Sequence, residues 1–309
     1  MKNLLTMQQL SKDEIFEIID LACEYKNETK KGFGHTKRLD GKTLGMIFEK
    51  SSSRTRVSFE VGMYQLGGHA LFLSSKDTQL GRGESIKDSA RVFGRYLDGI
   101  MIRTFRQSDV EELYEYSNLP VINGLTDYCH PCQVLADLMT VYEYKGSFEG
   151  LKMGYIGDGN NMANSLIVGG LKVGMKVVCS VAEGYEPDEK VLEFAEQYKD
   201  KFKLSYDIKD AAEGADVMFT DVWSSMGMED EAEIRRKAFK GFRIDKNLMS
   251  LTNSGCMVQH CLPAHKGEEI TEDVFEAHAS EIFDEAENRL HAQKAVLYLT
   301  MNDNGSMHI

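Results

Sequence analysis

The sequence predicts an α/β protein of two domains, each a parallel β-sheet flanked by helices, with long helices joining the two domains. Three observations support this prediction. Short apolar stretches alternate with stretches of helical periodicity along the chain, as in strands joined by helical crossovers. The apolar stretches are too apolar to be half exposed, as expected where helices cover both faces of a sheet. The length of 309 residues suits two domains of about 150 residues each.

The first half begins with a helix and then alternates between strands and helices. Ser11 and Glu14 form a capping box, and Ile15, Ile18 and Ile19 continue from it at helical spacing. The predicted strands are 43–48, 70–74, 98–103 and 120–124. The predicted helices between them are 55–66, 85–96 and 108–116.

The second half repeats the alternation after a longer helix, Gln133 to Tyr144, which ends at Lys145-Gly146. We therefore predict domains at 1–149 and 150–309. A last helical stretch covers about 272–301, and we expect its final part, about 290–301, to pack back on the first domain. The other elements of this half are strands 152–157, 176–182, 203–206 and 216–222, and helices 161–173, 188–199 and 209–213.

The composition is that of an ordinary globular protein, with 42% hydrophobic and 28% charged residues. The net charge of −13 argues against a nucleic-acid partner, because a phosphate backbone needs a basic protein face. No apolar run approaches the ~18 residues of a membrane span, and the first residues lack the pattern of a signal peptide. We therefore expect a cytoplasmic protein with neither a nucleic-acid nor a membrane partner.

The segment from Phe48 to Glu60 is the most informative one in the chain. A predicted strand runs into three hydroxyls and two arginines, and a helix-forming stretch follows. The first amides of a helix lack internal partners, and the helix dipole makes that end partly positive. Hydroxyl and guanidinium groups placed there form an anion site. The alternative is an ordinary serine N-cap followed by two solvated arginines.

Further polar groups follow the predicted strands at the points where the strands end. Because ligands of parallel sheets bind beyond the carboxyl ends of the strands, we expect one cleft there. The polar segment 223–241 also follows a strand end, and we interpret it as a mobile lid. The polar groups are Ser52–Arg56, Arg103-Thr104, His130–Gln133, Asp158–Asn161, Asp221–Gly227, His260–Ala264 and Arg289.

Two cysteines leave alternatives open. Cys129 and Cys132 have the spacing of a redox dithiol, which would require an exposed thiolate. Together with His260, Cys261 and His265 they could instead supply zinc ligands. The six cysteines of the chain are too thinly spread for a disulfide framework, and a reducing compartment fits them.

The run from Gly157 to Met162 follows a predicted strand and precedes a predicted helix, as a dinucleotide fingerprint does. The third glycine of that fingerprint is missing, and Met162 would crowd the contact that it allows. A nicotinamide oxidoreductase is the second function class on these residues. Asn161 at the helix start would instead suit a carboxylate ligand.

Taken together, the segments resemble the ornithine carbamoyltransferases of the aspartate/ornithine carbamoyltransferase family, over essentially the whole chain and in the family's order. The family's phosphate-binding Ser-Thr-Arg-Thr-Arg is similar to Ser52–Arg56, with Ser53 in place of the usual threonine. The motif His-Pro-x-Gln is matched by 130–133, Asp-x-x-x-Ser-Met-Gly by 221–227, and His-Cys-Leu-Pro by 260–263.

The resemblance implies that residues 1–149 bind carbamoyl phosphate and residues 150–309 bind L-ornithine. Gln79 is expected to come from a neighbouring subunit. The implied carbamoyl phosphate-binding residues are Ser52, Ser53, Arg54, Thr55, Gln79, Arg103, His130, Pro131, Cys132, Gln133, Cys261, Leu262 and Arg289. The implied ornithine-binding residues are Asn161, Asp221, Ser225 and Met226, and the implied catalytic residues are Arg103, His130, Cys261 and Asp221.

The resemblance also implies a reaction, in which the carbamoyl group passes to the δ-amino group of ornithine to give citrulline and phosphate. Arg103, His130 and Thr55 would donate to the carbonyl oxygen, and Gln133 would accept from the carbamoyl NH₂. Without the resemblance, Arg289 is equally well explained as part of a salt bridge on a helix surface. No cofactor and no metal are expected, and the assembly is expected to be a homotrimer or a multiple of trimers.

Overall fold

The computed structural model of this protein describes residues 1–32, 36–75, 83–224 and 229–302. The chain divides into two compact units. Unit 1 consists of Met1–Leu135 and Asn288–Ile309, and unit 2 consists of Ala136–Glu287. The prediction of an α/β chain with two parallel sheets flanked by helices is confirmed. The predicted boundary between residues 149 and 150 stays a prediction.

Unit 1 contains a sheet of four parallel strands in the order β2-β1-β3-β4. Its apolar core is formed by side chains such as Ile47, Ile100 and Val110, all nearly inaccessible to solvent. The predicted capping box at Ser11 is confirmed, because its side chain accepts from the amide of Glu14. The strands are β1 Thr43–Phe48, β2 His69–Ser74, β3 Gly99–Arg103 and β4 Val121–Leu125, and the helices are α1 Lys12–Lys30, α2 Ser53–Gln65, α3 Ile86–Phe93 and α4 Gln107–Ser117, with a 3-10 turn at Met7–Gln9.

Unit 2 contains a sheet of five parallel strands in the order β7-β6-β5-β8-β9. The strand order reverses between β5 and β8, and such a switch point is where ligands bind in open α/β sheets. The strands are β5 Lys152–Gly157, β6 Lys176–Val181, β7 Phe202–Ser205, β8 Val217–Thr220 and β9 Met257–His260. The helices are α6 Asn161–Val173, α7 Glu189–Ala195, α8 Ile208–Ala212, α9 Ala232–Ala238, α10 Lys246–Met249 and α11 Glu272–Ala277, with 3-10 turns at Glu196–Tyr198 and Glu229–Glu231.

Two long helices, α5 Pro131–Lys145 and α12 Ala279–Met301, contribute residues to both units, because the divisions of the chain fall inside them. The predicted helix 272–301 is two helices, since α11 ends before His278 and α12 begins at Ala279. None of the helices in the described ranges is both long and apolar enough to span a bilayer.

Three elements of unit 2 differ from the prediction. Strand β9 and helix α10 have four residues each, which is too short for a periodic pattern to show in the sequence. The segment interpreted as a lid contains helix α9 at Ala232–Ala238. Residues 225–228 of that segment lie outside the described part of the chain, and its movement stays a prediction.

Candidate active site

The start of α2 presents the predicted anion-binding hydroxyls of unit 1. Ser52 is the N-cap of this helix, and its Oγ accepts from the amide of Thr55 at 3.2 Å. The same hydroxyl donates to Thr55 Oγ1 at 3.1 Å. Ser53 and Arg54 follow in the exposed first turn. Hydroxyls, a guanidinium and helix-start amides therefore occur together here, as an anion site requires.

Arg289 of α12 joins two of the predicted residues. Its guanidinium donates to Gln133 Oε1 at 2.6 Å and to Thr55 Oγ1 at 3.2 Å, and all three side chains are buried. The alternative of a surface salt bridge for Arg289 is therefore wrong. Because Thr55 Oγ1 accepts from both Ser52 and Arg289, its single hydroxyl proton is left to donate.

His130 lies immediately before α5, where Pro131 occupies the first helical position that proline favours. The carbonyl of His130 accepts from the amides of Gln133 and Val134 at 3.1 and 3.3 Å. Its imidazole is buried. Burial, and then the positive charges of three arginines, hold the pKa of His130 well below its ordinary value of 6.5. The imidazole is therefore neutral and can donate one hydrogen bond.

The three arginines that lower the pKa of His130 are Arg289, Arg103 and Arg54. Arg103 is the last residue of β3 and is buried. The pairing of β3 with β4 shifts register between Ile102 and Arg103, and such irregularities commonly re-aim a side chain near a site. Residues from β1–α2, β3, β4–α5 and α12 thus form one cationic group in unit 1, which we call the unit 1 half-site.

Asp221 is the centre of a second group, in unit 2, just beyond the end of β8. Its Oδ1 accepts from Cys261 Sγ at 3.1 Å and from the amide of Val222 at 2.8 Å. Its Oδ2 accepts from Asn160 Nδ2 at 2.9 Å. Asn160 and Asp221 follow the neighbouring strands β5 and β8, so this group lies at the switch point of the sheet.

The pKa of Cys261 reflects the negative charge of this second group. Burial, and then the negative charges of Asp221, Glu285 and Asp137, raise the pKa of the Cys261 thiol well above 9. The thiol therefore keeps its proton at neutral pH and donates a hydrogen bond to Asp221. Glu285 is buried, and its Oε2 accepts from the amide of His260 at 2.9 Å. We call this anionic group the unit 2 half-site.

The structure brings most of the predicted residues together within each unit. In unit 1, Ser52, Thr55, Gln133 and Arg289 are connected by hydrogen bonds, and Arg54, Arg103 and His130 interact electrostatically. In unit 2, Asp221 and Cys261 are in contact, and Leu262 follows with its amide 2.9 Å from His260 Nδ1. Asn161 opens α6 and is half-buried. Three predicted residues, Gln79, Ser225 and Met226, lie outside the described residues.

The redox interpretation of Cys129 and Cys132 is wrong. Both thiols are buried, and burial raises the pKa of each to about 12. Cys132 Sγ donates to the backbone carbonyl of Asn123 at 3.3 Å, and Cys129 Sγ accepts from Asn123 Nδ2 at 3.3 Å. These thiols pack in the interior of unit 1 and hold the turn before α5.

The zinc interpretation also required metal-ligating side chains to converge. Within the described ranges, two groups of three such side chains lie close enough together to hold an ion. They are Asp221 with His260 and Cys261, and His265 with Glu268 and Glu269. Neither group includes Cys129 or Cys132, so these two cysteines belong to no such group among the described residues.

The dinucleotide interpretation fails at the start of α6. Asn160 Oδ1 accepts from the amides of Met162 and Ala163 at 2.9 and 3.3 Å, so the side chain that caps this helix takes the donors that a pyrophosphate would use. A Cβ on Gly159 would lie 2.3 Å from the backbone of residues 186 and 187. This glycine therefore serves a close approach of the protein's own backbone.

Sequence reasoning assigned no role to three side chains of the unit 2 half-site. Asn160 carried a signal, because it directly precedes a predicted helix and asparagine is a favoured N-cap. Asp137 and Glu285 carried none, since an acidic residue inside a helix normally marks a solvated face. Only their burial in the structure distinguishes Asp137 and Glu285 from solvated acidic residues on a helix surface.

Both halves of the chain match sequence models of one protein family. Residues 2–143 match "Aspartate/ornithine carbamoyltransferase, carbamoyl-P binding domain". Residues 149–300 match "Aspartate/ornithine carbamoyltransferase, Asp/Orn binding domain".

Named relatives are similar to this chain over nearly its full length. The anabolic ornithine carbamoyltransferase of Pyrococcus furiosus is 53% identical over 304 residues, covering 97% of this chain and 96% of the relative. The ornithine carbamoyltransferase of Pelobacter propionicus is 52% identical over 301 residues, covering 97% and 98%.

Solved structures agree with these sequence matches. The P. furiosus ornithine carbamoyltransferase superposes with a TM-score of 0.93 at 51% identity, covering 98% of each chain. The anabolic ornithine carbamoyltransferase of Campylobacter jejuni superposes with a TM-score of 0.92 at 42% identity, covering 98% of this chain and 100% of the other.

Proposed function

This chain belongs to the aspartate/ornithine carbamoyltransferase family, and from that membership we propose that it transfers the carbamoyl group of carbamoyl phosphate to the δ-amino group of L-ornithine. The products are L-citrulline and phosphate. We assign the reaction to arginine biosynthesis, because relatives of this chain are named anabolic.

The acidic character of the unit 2 half-site is the observation that carries the choice of ornithine. The family description covers both aspartate and ornithine as second substrates. Burial raises the pKa of the Cys261 thiol, and the negative charges of Asp221, Glu285 and Asp137 raise it further. A cluster of carboxylates attracts the two ammonium groups of ornithine and repels the side chain of aspartate.

Carbamoyl phosphate suits the unit 1 half-site on the same grounds. Its phosphate is a dianion, and Ser52, Thr55, Arg54 and the helix-start amides of α2 supply hydroxyl, guanidinium and N–H donors. The resemblance also places Ser53, Pro131, Cys132, Cys261 and Leu262 among the residues that line this ligand.

The carbonyl oxygen of carbamoyl phosphate gains negative charge when the amine attacks. We propose that Arg103, the neutral imidazole of His130 and the hydroxyl of Thr55 donate to this oxygen. Donors fixed before the reaction stabilise the transition state, and each is typically worth a factor of ~10²–10³ in rate. Gln133, held by Arg289, would accept from the carbamoyl NH₂ and fix its rotation.

The amine of ornithine must lose a proton before it attacks. With a lysine-like pKa near 10.4, the neutral form costs about 4–5 kcal/mol at pH 7. Because Cys261 keeps its own proton, it is a donor to Asp221 and does not remove the proton from the substrate. We propose that Asp221 attracts the ammonium groups of ornithine and that the attacking nitrogen releases its first proton to solvent. The departing phosphate then accepts the second proton of this nitrogen as the bond between the carbonyl carbon and the phosphate oxygen breaks. Asn161, Ser225 and Met226 would bind the α-amino and α-carboxylate groups.

A citrulline assay tests this proposal. Ornithine, putrescine, aspartate and N-acetylornithine are offered separately with carbamoyl phosphate, and release of phosphate and of the carbamoylated product is measured. We expect turnover with ornithine alone. Turnover with aspartate at the ornithine rate would contradict the argument from the acidic half-site.

We further propose that the chain forms a homotrimer or a multiple of trimers through unit 1. Strand β2 lies at an edge of its sheet, and large apolar side chains of β2 and α2 are exposed. They are Leu71 at 39%, Phe72 at 38%, Val57 at 55% and Tyr64 at 78%. Exposed apolar edge strands are normally covered by a partner. Sedimentation analysis should show a trimer, and Phe72→Glu should shift it toward monomer, whereas Tyr206→Glu in unit 2 should not.

A further inference from the structure

Arg235 connects parts of unit 2 that are distant in sequence. It lies on α9, and its side chain is only 9% exposed. Its Nη1 donates to Asp158 Oδ2 at 2.7 Å and to the carbonyl of Trp223 at 3.2 Å. Its Nε donates to Glu231 Oε2 at 3.0 Å, and its guanidinium carbon lies 5.1 Å from the centre of the Tyr185 ring.

The two main contacts of Arg235 belong to the loops that carry the unit 2 half-site. Asp158 follows β5 and directly precedes Gly159 and Asn160. Trp223 follows β8 and stands two residues after Asp221. These loops meet where Asn160 Nδ2 donates to Asp221 Oδ2 at 2.9 Å. One guanidinium therefore ties both loops from the side of α9.

We propose that Arg235 is a positioning residue for ornithine, which holds the loop after β5 and the loop after β8 so that Asn160, Asn161 and Asp221 keep their places. The inference rests on the proposed function for the identity of the ligand. Arg235 touches neither substrate and acts through Asp158 and Trp223.

The ion pair of Arg235 makes this positioning dependent on pH. Burial, opposed by Arg235 and assisted by the negative charges of Asp221 and Glu231, raises the pKa of Asp158 to about 6. The hydroxyl of Tyr155 donates to the Asp158 carbonyl at 2.7 Å and adds no charge. As the pH falls through about 6, Asp158 gains a proton and its attraction to Arg235 weakens. The KM for ornithine should therefore rise on the acid side, and this rise should disappear in Asp158→Asn.

Steady-state kinetics of Arg235→Gln provide the main test. We expect kcat/KM for ornithine to fall by about 10–100-fold, because small misplacement of binding groups has effects of this size. The KM for carbamoyl phosphate should stay at the wild-type value. Arg235→Lys should recover part of the loss, since it keeps one ion pair. The matched control is Arg236→Gln, the next residue on α9, which is 61% exposed and pairs with Glu268.

A double variant separates positioning from stability. Arg235→Gln leaves the buried carboxylate of Asp158 without its cation, which should lower the melting temperature. Adding Asp158→Asn removes that charge and should restore the melting temperature. The KM for ornithine should remain high in the double variant. Recovery of the KM together with the melting temperature would overturn the inference.

Hydrogen exchange of the protein without substrates gives a readout that does not depend on the reaction. Amides of residues 158–160 and 221–224 should exchange faster in Arg235→Gln than in Arg236→Gln. Equal exchange in the two variants would overturn the inference. A wild-type chain that makes no citrulline refutes the proposed function, whereas an active wild type with an unchanged KM in Arg235→Gln refutes this inference alone.

Discussion

The two half-sites use the same architecture with opposite charge. Each lies beyond the carboxyl ends of adjacent parallel strands, β1 with β3 in unit 1 and β5 with β8 in unit 2. In unit 1, burial lowers the pKa of His130, and the charges of Arg289, Arg103 and Arg54 lower it further. In unit 2, burial raises the pKa of Cys261, and the charges of Asp221, Glu285 and Asp137 raise it further. The sheets supply the place for a ligand, and the side chains at the strand ends determine which charge that ligand carries.

The comparison also shows that the net charge of a chain does not indicate the local charge at its binding sites. The whole protein carries −13, yet the unit 1 half-site is cationic. Burial is what makes the local charge effective, because the interaction between charges is stronger away from water. Four measurements can test whether the two half-sites differ in charge in this way.

The largest expected effect is on the rate, from the cationic half-site. Arg103→Gln removes one fixed donor to the carbonyl oxygen and should lower kcat by about 10²–10³-fold. The kcat is measured as the rate of citrulline formation with both substrates at saturating concentration. Arg106→Gln is the control, because its side chain is 72% exposed and pairs with Asp109. A similar loss of kcat in both variants would show that Arg103 acts through the fold of this region.

The next largest effect is expected on ornithine binding, from the anionic half-site. Asp221→Asn keeps the shape of the side chain and removes its charge. The KM for ornithine should rise by roughly 30-fold or more, because losing one partner of a buried charge pair costs about 2–5 kcal/mol. The KM for carbamoyl phosphate should not change. Asp210→Asn, an acidic residue of α8 paired with Lys203, is the control, and an equal rise there would contradict the assignment.

A smaller effect concerns stability and asks whether every buried cation of unit 1 serves the half-site. Lys294 of α12 is 2% exposed, and burial lowers its pKa to about 8. Below pH 8 the ammonium is charged in both folded and unfolded chains, and its burial destabilises the fold in full. Between pH 8 and about 10.4 the folded chain releases the proton first, so the destabilisation fades as the pH rises.

Lys294→Met should therefore raise the melting temperature by about 2–4 °C at pH 7, and the gain should shrink at pH 10. Differential scanning calorimetry measures both values. Lys30→Met, at an exposed position near the end of α1, should bring no gain. A melting temperature that falls in Lys294→Met would mean that the contact of its Nζ with Gln65 Oε1, at 3.0 Å, outweighs the burial of the charge.

The smallest expected effect concerns His130, whose imidazole should not titrate near neutral pH. Because the pKa of His130 lies well below 6.5, the imidazole should stay neutral from pH 6 to 8. The NMR signals of its ring should not shift over this interval, and the pH profile of kcat should be free of a step from this group. A ring that titrates with a midpoint near 6.5 would mean that neither burial nor the three arginine charges disfavours the charged imidazole.

Much of the fold was visible in the sequence, because long periodic stretches report which face of an element is buried. Helix α6 and strands β1 and β5 were predicted within a few residues, and so was the start of helix α1. Strand β9, helix α10 and the helix inside 223–241 were missed because they are only four to seven residues long. The motifs at Ser52, His130 and Asp221 pointed to half-sites, since ligands of parallel sheets bind beyond the carboxyl ends of the strands.

The sequence by itself determined the order of strands and helices, the hydroxyl and arginine cluster at the start of α2, and the family to which the chain is similar. Tertiary structure alone decided that Asp137, Glu285 and Arg235 are buried and which charges they face. The reason is physical: periodicity and caps are local properties of the chain, whereas desolvation and the Coulomb interaction depend on which distant residues surround a group.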